Sequence, residues 1–323
     1  MGSNFVRFLL QRLEDVKILV YDKLVRGGRI ENLKDIGGDK RLGFLKGDIC
    51  DKEYLEKAVQ DFEPEVVVNL AVETDVNREV DQLAPFIKTN IYGVCVLLEV
   101  LRRKEAPLFI HISTDGVYGE LPEGVLASED FFLNPSTPLS ASKASADLMV
   151  KSYFRTYGVK AIIVRPSSCY GPFQHPENFI PKAIIRALHD VPIPIYGDGM
   201  QVRDWLYVED FCEALYLVIL KGAKGETYNL PGFNARKNVE VARKILELMG
   251  KSSKLIKFVK EKPGYDKRRV MKGDRILALG WRPKVSWREG LQRTIRWYVE
   301  NEWWWRPILS GEYFTNDYLE DLC

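Results

Sequence analysis

Thr114 and Asp115 close the run His111-Ile112-Ser113-Thr114-Asp115, where an apolar strand pattern ends in two hydroxyls and a carboxyl group. A carboxyl there suits a proton donor, and the hydroxyl beside it suits a hydrogen bond to a sugar or carbonyl oxygen. Taken alone, a Ser-Thr-Asp run more often caps a turn. Lys143, in Ser140-Ala141-Ser142-Lys143-Ala144, is by the same reasoning an ordinary solvated charge until its neighbours say otherwise. Arg203 opens the run Arg203-Asp204-Trp205-Leu206-Tyr207-Val208-Glu209-Asp210 and offers a planar fork that matches a diphosphate. A surface ion pair is the commoner use of a lone arginine. Cys50, Cys95, Cys169, Cys212 and Cys323 show no paired metal-ligand spacing, and this odd count with no leader peptide predicts reduced thiols in a cytoplasm.

The elements that must hold these groups follow from the apolar pattern. Short β-branched runs predict strands at Val16 to Tyr21, Gly43 to Lys46, Val66 to Leu70, Leu108 to Ser113 and Ala161 to Arg165. Helical spacing predicts helices near 3–14, 51–61, 79–104 and 138–157 between them. This alternation specifies an α/β fold, a doubly wound parallel sheet covered on both faces. Ligands of such sheets bind beyond the carboxyl ends of the strands, which is where Thr114 and Asp115 fall. After Arg165 a Pro- and Gly-rich stretch precedes helices near 179–188, 209–221, 238–249 and 287–301, the last with Ser286 and Glu289 spaced as a capping box. The division expected is a nucleotide-binding domain over 1–165 and a smaller substrate lobe over 166–323, with some segments returning to the sheet. A core is affordable, since 46% of the 323 residues are apolar. The net charge of +2 gives no footprint for nucleic acid. The apolar run Val94 to Leu98 stops at Glu99, short of the ~18 residues a membrane span needs, so the sequence predicts a soluble protein.

Together these segments, in this order and spacing, resemble the extended short-chain dehydrogenase/reductase superfamily and within it the dTDP-glucose 4,6-dehydratases. The resemblance runs from Gly2 to about Pro307 and includes Gly2-Ser3-Asn4-Phe5-Val6-Arg7, Tyr21-Asp22-Lys23-Leu24, Glu31-Asn32-Leu33-Lys34-Asp35, Lys46-Gly47-Asp48-Ile49-Cys50-Asp51 and Glu302-Trp303-Trp304-Trp305-Arg306-Pro307. It implies bound NAD, a nucleotide-sugar substrate, and a homodimer joined through the helices near 79–104 and 138–157. In that family NAD takes hydride from sugar carbon 4, water leaves across carbons 5 and 6, and the hydride returns to carbon 6. By resemblance Asp115 is the acid, Thr114 the active-site hydroxyl, and Lys143 the lysine that lowers a tyrosine's pKa and holds a ribose. Gly2 matches the last glycine of the phosphate turn, Asp22 the residue on the adenosine ribose, and Asp48 with Ile49 the adenine contacts. Leu70, Ala71 and Thr89 fall at cofactor-lining positions, and Pro194, Tyr196, Arg203 and Asn238 at positions that hold the diphosphate. Asn238 also sits where a helix N-cap belongs. Trp303 to Trp305 are expected to pack against the lobe.

The departures are specific. One helical turn before Lys143 the family has its tyrosine, and this chain has Leu139. After Asp115 the family has its glutamate base, and this chain has Gly116. Loss of one positioned acid or base commonly costs ~10²- to 10⁴-fold in rate, so the resemblance implies impaired catalysis. The other reading is a non-catalytic binding or interaction partner. Tyr118 or Tyr170 could replace the phenol only through a rearranged backbone. The family's first strand and two glycines have no counterpart here, which predicts two unpaired sheet edges between the strands near 16–21 and 66–70, closed by slippage, a partner strand or upstream residues. A rival assignment makes Val16 to Tyr21 the central strand and Arg26-Gly27-Gly28 the phosphate turn. Further departures are Val25, Arg26, Val72, Asp75, Asn77, Ser168, Cys169, Asn178, Lys262 and Tyr265.

Overall fold

Strands buried on both faces need apolar residues at every position, and β-branched side chains suit that environment. The computed structural model of the chain describes residues 1–25, 27–74, 83–102, 107–261 and 264–309. Helix α1 (Gly2–Arg12) leads to β1 (Ile18–Asp22) and β2 (Leu42–Lys46), and α2 (Lys52–Phe62) leads to β3 (Val66–Asn69). The helical run α3 (Ala84–Arg102) precedes β4 (Leu108–Ile112), and α4 (Pro138–Tyr157) precedes β5 (Ala161–Pro166) and β6 (Ser168–Tyr170). Next come α5 (Phe179–Leu188), β7 (Ile193–Tyr196), β8 (Val202–Tyr207), α6 (Val208–Lys221), β9 (Thr227–Leu230), β10 (Ala235–Lys237) and α7 (Asn238–Leu248). The chain continues through β11 (Ile256–Val259), β12 (Arg268–Arg269), α8 (Asp274–Ala278), α9 (Trp287–Glu300) and α10 (Glu302–Leu309). Each strand and helix expected from the pattern is present, with ends moved by a residue or two. The expected helix near 79–104 is described only from Ala84 to Arg102; residues 79–82, 103 and 104 lie outside the described residues.

The architecture is α/β, with helices on both faces of parallel strands. The main sheet runs β3-β4-β5-β9, all parallel. One face packs Ile110, Ile112, Ile162 and Val164 against Phe5 of α1 and Phe211 and Leu215 of α6. The other packs Phe109 and Ile163 against Leu55 of α2, Leu97 and Leu101 of α3, and Val150 of α4. Strands β1 and β2 form a separate parallel pair. Among the described residues no ladder joins β1 to β3, so two strand edges stand unpaired where the sequence predicts them. The rival assignment, with β1 at the centre, has no pairing to support it.

Local signals explain the element ends. Asp51 caps α2 by accepting from the Tyr54 amide at 3.1 Å, and Thr137 caps α4 by accepting from the Ser140 amide at 3.2 Å. The capping box expected at Ser286 and Glu289 is half made: Ser286 accepts from the Glu289 amide at 3.3 Å, while the Glu289 carboxylate pairs with Arg293. Asn238 is not the cap of α7; Lys237 holds that position and Asn238 is the first helical residue. The length argument from Val94 to Leu98 also needs correction. The whole of α3, 19 residues, is long and apolar enough to cross a membrane by length and composition, and half of its most apolar window is buried in the fold. Trp304 and Trp305 are buried among α5, α7 and α9, as expected, whereas Trp303 is exposed beside Lys34.

Candidate active site

The carboxyl end of β4 turns at Thr114, whose Oγ1 accepts from the Gly116 amide at 3.2 Å and donates to Asp115 Oδ1 at 3.1 Å. Thr114 therefore caps the turn, and the same hydroxyl bonds the carboxyl group beside it. Asp115 is buried, and its Oδ2 has no hydrogen-bond partner. Helix α4 brings Lys143 to the same strand end, where its Nζ donates to the Ile112 carbonyl at 2.6 Å. Burial lowers the Lys143 pKa to about 8, with the Asp147 carboxylate pulling the other way. The solvated-charge reading of Lys143 therefore fails, since the residue is 4% exposed.

Around Asp115 the missing groups have left a definite geometry. A Cβ placed on Gly116 would lie 2.5 Å from Ser140 Oγ and 2.9 Å from an Arg269 terminal nitrogen. A serine hydroxyl and a guanidinium therefore fill the space in which a side chain at 116 would stand. Leu139, one turn before Lys143 on α4, supplies an aliphatic side chain. Neither neighbouring phenol takes its place. Tyr118 is buried, donating to Asn229 Oδ1 at 2.7 Å and accepting from Arg165 at 2.7 Å. Tyr170 is buried in the second lobe against Trp205, Tyr207 and Trp287.

The expected diphosphate residues converge in part. Arg203 on β8 is buried, with its guanidinium 5.1 Å from the Tyr265 ring centre. Burial, and then the neighbouring Arg269 guanidinium, lower its pKa to about 10. Tyr196 ends β7 with its ring 6.3 Å from Tyr265, and Pro194 is buried two residues earlier on the same strand face. Gln201 ties this group together: its side-chain amide donates to the Tyr196 carbonyl at 3.1 Å, and its backbone carbonyl accepts from the Asn238 backbone N–H at 3.0 Å. The Asn238 side chain makes no hydrogen bond to a described residue, so its amide is open to a ligand.

The expected cofactor residues lie at the carboxyl ends of β1, β2 and β3. Asp22 ends β1, with Oδ1 accepting from the Leu24 amide at 2.7 Å. Asp48 follows β2, accepting from the Cys50 amide at 3.0 Å and pairing with Lys23 at 2.7 Å. Ile49 is buried; a Cβ on Gly93 of α3 would come within 2.6 Å of its side chain, so glycine lets the two meet. Ala71 is fixed by its amide, which donates to Asn69 Oδ1 at 3.1 Å. Thr89 lies half-buried in a π-helical segment, Ile87–Tyr92. At Gly2 a Cβ would meet only Leu70 among the described residues, at 3.9 Å, so Gly2 and Leu70 adjoin. Gly28 of the rival phosphate turn is crowded instead, its Cβ position 2.6 Å from Asp22 Oδ1. Arg26, Asp75, Asn77 and Lys262 lie outside the described residues.

Sequence reasoning missed Arg269, Ser140 and Asn90. Arg269 and Arg203 are register partners on β12 and β8, which only the pairing reveals. Asn90 is 1% exposed; it accepts from the Glu73 amide at 2.8 Å and donates to Ser142 Oγ at 2.9 Å. It thereby fixes the segment after β3 against α4. A buried asparagine in an apolar helix was the one available signal.

A family model described as GDP-mannose 4,6 dehydratase matches residues 1–294. The chain is similar to a dTDP-glucose 4,6-dehydratase of Neisseria meningitidis serogroup B, 39% identical over 97% of this chain and 94% of the relative. It is similar in structure to a dTDP-glucose 4,6-dehydratase from Bacillus anthracis solved in complex with NAD, with a TM-score of 0.90, 39% identity, and coverage of 95% of this chain and 96% of that one. A UDP-glucose 4-epimerase from Thermus thermophilus, also in complex with NAD, superimposes with a TM-score of 0.86 at 31% identity, over 93% of this chain and 96% of that one.

Proposed function

Because this chain belongs to the dTDP-glucose 4,6-dehydratase family, we propose that it binds NAD and a nucleotide-diphosphate sugar at the site described above and catalyses the dehydration poorly. The residues present fit the cofactor. The second carboxylate oxygen of Asp22 makes no hydrogen bond to a described residue and would accept from a ribose hydroxyl, Asp48 and Ile49 border the adenine end, and the amide end of α1 at Gly2 suits a pyrophosphate. Leu70, Ala71 and Thr89 would line the path between, and Lys143 would hold the nicotinamide ribose. Bound NAD supplies a hydride acceptor. Arg203, Tyr196, Asn238 and Pro194 hold the diphosphate, and Thr114 and Asp115 face the sugar.

One observation carries the proposal that turnover is impaired: Ser140 and Arg269 fill the place of a side chain at residue 116. A guanidinium does not remove a proton from carbon, because it is a donor with no acceptor lone pair. Asp115 remains able to pass a proton, and Thr114 to orient a sugar hydroxyl. With Leu139 on the lysine's face, no phenol stands ready to take the proton of the carbon 4 hydroxyl. We place the protein in the cytoplasm, where Cys50, Cys95, Cys169 and Cys212 persist as free thiols, and as a homodimer joined through α3 and α4.

The test is mass spectrometry of dTDP-glucose incubated with the folded chain and added NAD. The expected outcome is bound NAD and dTDP-glucose with no species lighter by one water above a mock preparation. A dehydrated product at the rate of an intact family member would overturn the reading of Leu139 and Gly116.

A further inference from the structure

Helix α4 carries Lys143 and, one turn later on the same face, Asp147. Asp147 is fully buried, so its carboxylate is desolvated and depends on the groups set against it. Arg165 on β5 is one of them, its Nε donating to Asp147 Oδ2 at 2.8 Å. The other oxygen, Oδ1, makes no hydrogen bond and faces His111 Nε2 on β4 across 3.7 Å. The state of that imidazole follows from its far side. Asn69 Oδ1 accepts from the Ala71 amide at 3.1 Å, which turns the Asn69 NH2 toward His111 Nδ1 at 3.4 Å. An NH2 group only donates, so Nδ1 accepts and the ring proton sits on Nε2, toward Asp147. Burial, and then the Lys143 and Arg165 charges, hold the His111 pKa well below its ordinary value, so the ring is neutral.

Lys143 is the remaining cation of this group, and its Nζ bonds a backbone carbonyl rather than a carboxylate. Burial brings its pKa to about 8 even with Asp147 pulling upward. The other charged groups on elements packed against α4 are engaged elsewhere. Asp115 lies 3.7 Å from Arg269, Glu99 pairs with Arg102, Glu73 is tied through its backbone to Asn90, and Lys88 is exposed. Lys151, one turn beyond Asp147, is half-buried. We propose that Asp147 is a positioning residue: held by Arg165 and His111, its carboxylate keeps Lys143 an ammonium at neutral pH and so sets the pH range in which the chain holds NAD. This rests on the cofactor reading, in which Lys143 holds the nicotinamide ribose. An ammonium donates to a ribose hydroxyl more strongly than an amine does.

Calorimetric titration of the full chain with NAD from pH 6.5 to 9.5 tests this. Affinity should fall roughly three- to tenfold as Lys143 loses its proton. In Asp147→Asn, whose side-chain oxygen still accepts from Arg165, the fall should begin roughly one pH unit lower or more, with affinities converging at the acid end. Asp147→Glu should restore the original profile. A merely structural role would weaken binding equally at every pH, and an unmoved midpoint in folded Asp147→Asn overturns the proposal, as does a pH-independent affinity in the unaltered chain. Melting curves establish folding. Should Asp147→Asn not fold, nitrogen-15 NMR of the unaltered chain decides: of its three histidines, His111 should stay neutral with its proton on Nε2 from pH 5.5 to 9, and a charged ring or an Nδ1–H tautomer overturns the arrangement. If NAD does not bind at any pH, the cofactor reading falls by itself. Urea unfolding with and without Lys143→Met then reads the charge alone, and the stability gained as Lys143 loses its proton should set in at lower pH when Asp147→Asn is present.

Discussion

Lys143 carries its ammonium into a 4% exposed position with a single backbone carbonyl as hydrogen-bond partner. Its pKa falls from the ordinary 10.5 to about 8, chiefly by burial. Between those values the unfolded chain holds a proton that the folded chain has released, so stability rises with pH across that window. Below pH 8 both states are charged and the fold carries the full cost of the buried ammonium. The slope contributed by one proton is at most about 1.4 kcal/mol per pH unit. Urea unfolding of the unaltered chain and of Lys143→Met, each at pH 7.5 and 9.5, isolates it. The stability difference between the two should shrink as pH rises, and a pH-independent difference would show that Lys143 is not desolvated as described. At this scale the sequence was only partly legible. Leu139 and Gly116 were visible as departures, because they alter residue types at known spacings. That Ser140 and Arg269 close over Gly116 was not, because it depends on how β12 meets β8, with residues 208–267 between them.

At the scale of elements, period and composition located three of the four main-sheet strands, β3, β4 and β5, since β4 and β5 are buried on both faces and read as unbroken apolar runs. The return of β9 to the edge of β5 had no such signal; Thr227–Leu230 is short and mixed. Helix caps were legible where one side chain decides them, as at Ser286, and misleading at Asn238, where the backbone makes the preceding lysine the cap. The unpaired edges of β1 and β3 have a measurable consequence. Their residues other than Asn69 are only half-buried, while those of β5 are buried throughout. Amides without a ladder partner open at low free energy. Hydrogen exchange should therefore replace the amides of 18–22 and 66–69 that face away from β2 and β4 well before those of 109–112 and 161–165. Equal protection across all four strands would mean that the two sheets are joined by pairing along β1 and β3.

For the whole molecule, the proposed association is argued from the surface of α3 and α4. Ile87, Tyr92, Leu148 and Tyr157 are each at least half exposed on these two helices, whose inner residues Leu97, Leu101 and Val150 share one core cluster. Exposed apolar side chains gathered on packed helices mark an association surface more often than single scattered ones. A two-fold axis through this face sets each helix against its own copy, so one substitution is felt twice. Leu148, 59% exposed near the middle of α4, is the most informative position because its present contacts within the chain are few to lose. Sedimentation velocity of the unaltered chain should give a species of twice 37.2 kDa. Leu148→Glu should give the single-chain mass with an unchanged far-ultraviolet circular dichroism spectrum, since a carboxylate facing an apolar surface and its own copy loses burial and gains repulsion. An unaltered chain that sediments as a monomer at tens of micromolar would remove this face from consideration, and a Leu148→Glu dimer would place the two-fold axis elsewhere on the surface.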